Sequence, residues 1–284
     1  MECLLSFVGS RASLLISLLF HVRTNTVRSQ LGINNLKVIK MKTYYLKISC
    51  LFVICVIATF TSLHAAENTP EQLTTAKEKV NKAIIKFEMT DKARWSYRLS
   101  RYEDEEGDIT SSIEQYSPHL TEPWLLKQLN GEHPTDKQIK QFADKKHAQN
   151  NTNNEGGNSR LKLRKLINED SLSLVSTNEQ HLVMAFDVNL KKLGKDSIGK
   201  LKGELTYQKE KQFIEKISIR NREEFSPMFT ANITDLAITF TFLEINGAVL
   251  IKQNEMKMKG SFAYFTEINE TSLDEFEGYE YQSN

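Results

Sequence analysis

The chain has 284 residues, 37 of them basic and 36 acidic, for a formal net charge of +1. Residues 1–65 hold seven Lys/Arg and one acid, so the remainder carries 30 basic against 35 acidic side chains, a net charge of −5. A mildly acidic remainder argues against a nucleic-acid partner and against electrostatic docking on an anionic membrane face; with Cys3, Cys50 and Cys55 all before residue 66, it also has no disulfide and no thiol nucleophile.

Residues 13–22 form a short apolar run between Arg11 and Arg23. A second run, 48–63, follows Met41, Lys42 and Lys47 and ends at Leu63-His64-Ala65-Ala66. A basic start, an apolar stretch and a small residue at the end predict a secretory signal peptide over 41–65, cut between Ala65 and Ala66. The run is about 16 residues, just under the roughly 17–25 of a spanning helix. An uncleaved segment would anchor the chain in the inner membrane with the domain still facing the periplasm, and membrane contact would come through that segment alone. Translation from Met41 would leave residues 1–40 as a misassigned N-terminal extension. The expected organisation is therefore one exported domain over 66–284.

Thr69-Pro70-Glu71-Gln72 predicts a capping box with proline in the first helical turn. Leu73, Ala76, Val80, Ala83, Ile84 and Phe87 then recur at helical spacing. From Trp95 the period becomes two: Trp95, Tyr97 and Leu99 alternate with Ser96, Arg98 and Ser100. The polar stretch 103–108 predicts a hairpin turn before a second strand over 109–116. Trp124 opens a further apolar segment, Asn130-Gly131 is a turn signal, and Pro134-Thr135 with Gln138 predicts a second capped helix with Ile139, Phe142 and Ala143 inward. Residues 147–159 have almost nothing to bury and predict a flexible loop, followed by a short helix over 161–167.

Beyond Ser171 alternation dominates. Leu182, Met184, Phe186 and Val188 share a parity, as do Leu201, Gly203, Leu205 and Tyr207, and Leu236, Ile238, Phe240 and Phe242. Asn246-Gly247 predicts a hairpin. Met256, Met258, Gly260, Phe262 and Tyr264 alternate with Lys257, Lys259, Ser261 and Ala263. Strands with one dry and one wet face, and helices gathered N-terminally, predict an α+β fold: one wide, curved antiparallel sheet (a half-barrel) of about eight to ten strands, its concave face covered by the helices.

Catalytic signatures are absent. Gly194-Lys-Asp-Ser-Ile-Gly199-Lys200 matches most of a phosphate-binding loop, but Leu201 stands where a Ser or Thr must reach the metal and residues 201–207 read as a strand; the stretch predicts a turn. His119, His133, His147 and His181 have no metal-ligand spacing. The acidic turn lacks the alternating oxygen ligands of a calcium loop. Neither a metal nor any cofactor is expected, and no catalytic residue is assigned. Asn150, Asn232 and Asn269 open Asn-x-Thr tripeptides, which matter only in a glycosylating host. An apolar inventory is left: Trp95, Tyr97, Trp124, Phe240, Phe242, Met256, Met258, Phe262 and Tyr264. It either packs the helices on the sheet or lines a cavity for an acyl chain, for which unbranched Met256 and Met258 are well shaped.

Trp95-Ser-Tyr97, Gln115-Tyr-Ser-Pro118, Pro123-Trp-Leu-Leu126, Asn130-Gly131 and Pro134-Thr135 resemble a group of uncharacterised exported proteins of gammaproteobacteria. The resemblance is concentrated in residues 87–146 and implies a periplasmic address. The order of signal, helix and sheet is similar to the periplasmic lipoprotein-carrier fold, a half-open barrel with a helical lid. Two classes follow as expectations: a non-enzymatic envelope protein that binds a lipid, another apolar ligand or an envelope partner, and a periplasmic hydrolase whose residues converge only on folding.

Overall fold

The computed structural model describes residues 69–152, 161–190, 193–263 and 266–283. The signal segment, its Ala65/Ala66 cut and the N-terminal extension lie outside the described residues, as does Tyr264. The first helix, α1 (Pro70–Met89), begins at the predicted capping box: Thr69 Oγ1 accepts from Gln72 N at 3.3 Å and Gln72 Oε1 from Thr69 N at 3.2 Å. These bonds satisfy donors that a helix start leaves unpaired. Ala76, Val80, Ala83, Ile84 and Phe87 are its buried stripe. At the other end Thr90 Oγ1 donates to Lys86 O at 3.0 Å and accepts from Val249 N at 3.1 Å, tying the helix to the sheet.

The strands are β1 (Trp95–Glu105), β2 (Asp108–Tyr116), β3 (Trp124–Leu129), β4 (Ser173–Thr177), β5 (His181–Asp187), β6 (Leu201–Gln208), β7 (Phe213–Asn221), β8 (Phe225–Met228), β9 (Ala231–Ile245), β10 (Ala248–Phe262) and β11 (Thr266–Tyr281). They form one antiparallel sheet in the order β3-β2-β1-β11-β10-β9-β7-β6-β5-β4, with β8 paired to β9. This gives 11 strands, more than the alternation predicts. The path has two ends, β3 and β4, and does not close on itself. The last strand pairs with the first, so the N-terminal hairpins extend the sheet beyond β11. Around Gly203 the sheet is tight: a Cβ there would lie 2.2 Å from the ring of Phe186, its cross-strand partner. The 194–200 stretch is a short 3₁₀ turn leading into β6, as expected for a turn between strands.

Two more helices complete the described chain. The second, α2 (Asp136–Thr152), starts at the expected box, with Gln138 Oε1 accepting from Thr135 N at 2.8 Å and Thr135 Oγ1 from Gln138 N at 3.4 Å. It corrects two expectations. The helix continues through 147–152, where a loop is predicted: Lys145, His147, Ala148 and Gln149 have adequate helix propensity even with nothing to bury. Ile139 is 42% exposed rather than inward. The short α3 (Leu163–Leu166) is strapped to α1 by Arg164, which donates to Asn81 Oδ1 at 2.9 Å and pairs with Glu88 at 3.4 Å. Among the described residues no helix is long and apolar enough to cross a membrane.

Candidate binding face

Directly paired residues of antiparallel strands project to the same side of a sheet, so register alone identifies a face. Ser112 pairs with Arg101, Arg101 with Asp274, Asp274 with Asn254, Asn254 with Phe240, Phe240 with Ile217, Ile217 with Leu205 and Leu205 with Met184. This row defines one face across eight strands. By parity along each strand it contains Trp95, Tyr97, Phe240, Phe242, Met256, Met258 and Phe262, and Trp124 joins it through Tyr116. All are buried except Trp124, which is half-buried. Both long helices lie on this face: Phe87 of α1 meets Phe242 edge-on at 5.0 Å, and Lys146 of α2 reaches Glu114, two residues from Ser112.

The face has two parts. Under α1, which packs on β7, β10 and the edge strand β4, it is apolar: Phe240, Phe242, Met256, Ile217, Ile219, Leu205 and Met184 are all buried. Beside α2, which packs on β3, it is an aromatic cluster that grades into charge. Tyr97 is the hub, with ring centroids 5.1 Å from Tyr116, 5.9 Å from Trp124, 5.6 Å from Phe276 and 5.4 Å from Tyr279. Trp95 stacks edge-on against Tyr281 at 5.4 Å. The sequence-derived candidates are thus split: Trp95, Tyr97 and Trp124 share the aromatic cluster, and Phe240, Phe242, Met256, Met258 and Phe262 sit on β9 and β10.

A bulge builds the cluster. Ser96 pairs with Glu280 and Arg98 with Glu277, so Tyr97 alone opposes Gly278 and Tyr279. Gly278 has φ +64, the left-handed conformation in which a glycine-based bulge inserts one extra residue. Without the insertion Phe276 and Tyr279, three apart, would project to opposite faces; with it both meet Tyr97. The Tyr279 hydroxyl donates to Ile251 O at 2.6 Å, and burial pushes the phenols of Tyr97 and Tyr279 far above their ordinary range. Tyr97 packs and Tyr279 packs and donates a hydrogen bond; neither is an acid at neutral pH.

Next to the rings is a small charge network. Arg101 Nε is 3.2 Å from Asp274 Oδ1 and 3.7 Å from Glu114 Oε1, Lys146 Nζ is 2.7 Å from Glu114 Oε2, and Ser112 Oγ donates to Glu114 at 3.2 Å. The two carboxyls are driven apart. Burial would raise Glu114, but the charges of Lys146 and Arg101, with hydrogen bonds from Lys146 and Ser112, outweigh it and hold the group below its ordinary value. For Asp274 burial dominates, reinforced by the nearby charges of Glu114 and Glu103 against the opposing pull of Arg101, and its carboxyl is raised. Glu114, Arg101, Asp274, Lys146, Tyr116, Phe276 and Tyr279 are not among the sequence-derived candidates. The one available signal was Gly278 inside a strand pattern, which marks a bulge.

The histidines remain apart: His147 Nε2 is 2.8 Å from Glu122 and His181 Nε2 is 3.1 Å from Glu215. Among the described residues no group of three His, Cys, Asp or Glu side chains is placed to hold a metal ion.

No protein-family model and no curated protein matches the chain. Two solved structures are similar to it. A DUF1329 family protein of Desulfovibrio piger is 7% identical, with a TM-score of 0.30 over 74% of this chain and 92% of that one. A chain of the Pseudomonas aeruginosa MucA/MucB complex is 9% identical, with a weaker TM-score of 0.19 over 74% of this chain and all of that one.

Proposed function

We propose that this chain is a non-enzymatic envelope protein, exported to the periplasm by the segment 41–65, that holds a lipid or another apolar ligand, or an envelope partner, against the helix-covered face of its wide antiparallel sheet. The observation that carries this reading is the uneven cover of one continuous face. Under α1 the fit is that of a core, whereas the cluster of Tyr97, Tyr116, Trp124, Phe276 and Tyr279 lies beside α2, none of whose described side chains is buried. Aromatic rings joined to a few polar groups make a surface suited to an amphipathic ligand. Native mass spectrometry of the full chain purified from the envelope tests it. Co-purifying lipid is the expected result, and a clean unliganded mass together with failure to bind cis-parinaric acid rejects it. The intact mass of the same sample also reports cleavage at Ala65/Ala66 and the start at Met41.

One observation favours hydrolysis as a second reading: Glu114 and Asp274, flanking Arg101, have environments that push their carboxyls in opposite directions, as acid and base partners require. Both carboxyls are already engaged by cations, which is the arrangement of an ion-pair network. Turnover of ester or glycoside substrates that is lost in Glu114→Gln would favour the enzyme.

A further inference from the structure

The attachment of α2 is unlike that of any other element on the helix-covered face. Its half-buried positions are Gln138, Phe142, Ala143 and Lys146, and it has no buried side chain among those described. At the centre of its contact with the sheet is a cation: Lys146 Nζ lies 2.7 Å from Glu114 Oε2, 4.0 Å from the centroid of the Trp124 ring and 5.0 Å from that of Phe142. One residue further, His147 Nε2 is 2.8 Å from Glu122 in the β2–β3 connection. We propose that α2 is a detachable cover, latched by Lys146 onto Glu114 and Trp124, which opens about the largely exposed 132–135 connection to bare Trp124, against which Tyr97 and Tyr116 pack. For its purpose, though not for its test, this rests on the reading of that cluster as a binding face.

Opening is cheap because neither half of the latch is stranded by it. Glu114 keeps Ser112, which donates at 3.2 Å, and Arg101 at 3.7 Å, so the carboxylate retains a hydrogen bond and a counter-charge inside the sheet. Lys146 passes to water, its preferred surroundings. The other end of the helix stays anchored. Leu129 and Glu132 exchange backbone hydrogen bonds at 3.0 and 3.1 Å, and Asn130 N–H donates to Ser111 O at 2.7 Å, fixing the chain to β2 just before the hinge. A segment held by polar contacts such as those of Lys146 and His147, and by little apolar area, belongs to the low end of local unfolding free energies, where binding covers are found.

Hydrogen exchange of the full chain, wild type against Lys146→Met, tests the cover. The expected result is a rise of about tenfold or more in the exchange of amides 139–148, the size of losing one charged hydrogen bond, with α1, β9 and β10 unchanged. Unchanged exchange in α2, or α1 and α2 loosening together, overturns the proposal. So does a Lys146→Met chain that cannot fold, because α2 would then belong to the structural core. Lys146→Arg, which keeps the charge, is expected to restore at least part of the protection; protection no better than in Lys146→Met also overturns it. Binding of cis-parinaric acid to the wild type is read separately, so an opening cover over a face that binds nothing defeats the binding reading and leaves the cover standing.

Discussion

The two long helices lie on one face of one sheet, start from the same kind of capping box and are held there by different physics. α1 presents Ala76, Val80, Ala83, Ile84 and Phe87, all buried, and ends in a hydrogen bond from Val249 to Thr90. α2 offers Phe142 and Ala143, both half-buried, and a lysine. Burying a large apolar side chain contributes about 1.5–3 kcal/mol, so α1 is docked by a sum that no single polar contact approaches. The lesson is that a helix can be part of the architecture or part of the equipment, and the fraction of its own surface that it buries distinguishes the two.

Removing an α1 anchor should therefore have the largest effect. Phe87→Ala deletes a ring that is 2% exposed and packed edge-on against Phe242, and a loss of about 3–5 kcal/mol in global stability is expected from chemical denaturation. Phe142→Ala, the same change in α2, should leave the denaturation midpoint nearly unmoved. Similar losses from both substitutions would break the comparison. Gly278→Val comes next. A β-branched residue at φ +64 costs about 1–2 kcal/mol, and relief by removing the bulge would turn Tyr279 away from Tyr97. The near-ultraviolet circular dichroism of the ring cluster should fall along with stability; an unchanged spectrum would show that the bulge does not build the cluster.

Much of this arrangement could be read from the chain before folding, for reasons that also explain the failures. α1 and strands β5 and β6 have one dry side along their length, and β9 and β10 keep one over the long stretch between the register shifts at Thr234 and Lys252, so their periods survive in the sequence. β11 does not. Glu267, Glu270, Asp274, Glu275, Glu277 and Glu280 make it one of the most polar segments of the chain, yet it is paired on both sides, with β1 and β10. Its hairpin partner β10 is adjacent in the chain, but its other partner, β1, is distant in sequence, a pairing that local propensity does not encode. The apolar half of the site was legible because Trp95, Tyr97, Phe240 and Met256 announce burial by type. Arg101, Glu114, Asp274 and Lys146 did not, because charged residues are ordinarily solvated and only the pairing of β2, β1 and β11, with the seating of α2, brings them together. The Gly278 bulge hid Tyr279 in the same way by changing the parity of its strand.

A smaller effect, still specific to the α2 side, is expected from pH. Glu114 is held below its ordinary 4.5, so its stabilising contribution is present above 4.5 and lost as pH falls through its lower folded value. Asp274 is held above its ordinary 3.8; its contribution is present below 3.8 and lost as pH rises through its higher folded value. In denaturation measured across pH, Glu114→Gln should flatten the loss that sets in below 4.5 and Asp274→Asn the loss that sets in above 3.8. If neither variant alters the profile, these carboxyls are not coupled to folding as their surroundings imply.

The smallest effects come from the caps, and they make the finest test of the comparison because the chemistry is the same at both ends. Thr69→Ala and Thr135→Ala each remove one side-chain acceptor from a helix start, at a cost of about 1 kcal/mol to the helix concerned. Since α1 is docked through the core, its loss is shared by the whole fold, and Thr69→Ala should lower the denaturation midpoint. For α2 the same loss is local: hydrogen exchange in 139–148 should rise several-fold while the midpoint stays in place. Two equal perturbations with unequal reach would show that what separates the helices is their coupling to the sheet. A midpoint shift of the same size from Thr135→Ala would instead put α2 in the cooperative core, a placement at odds with the exposure of its side chains.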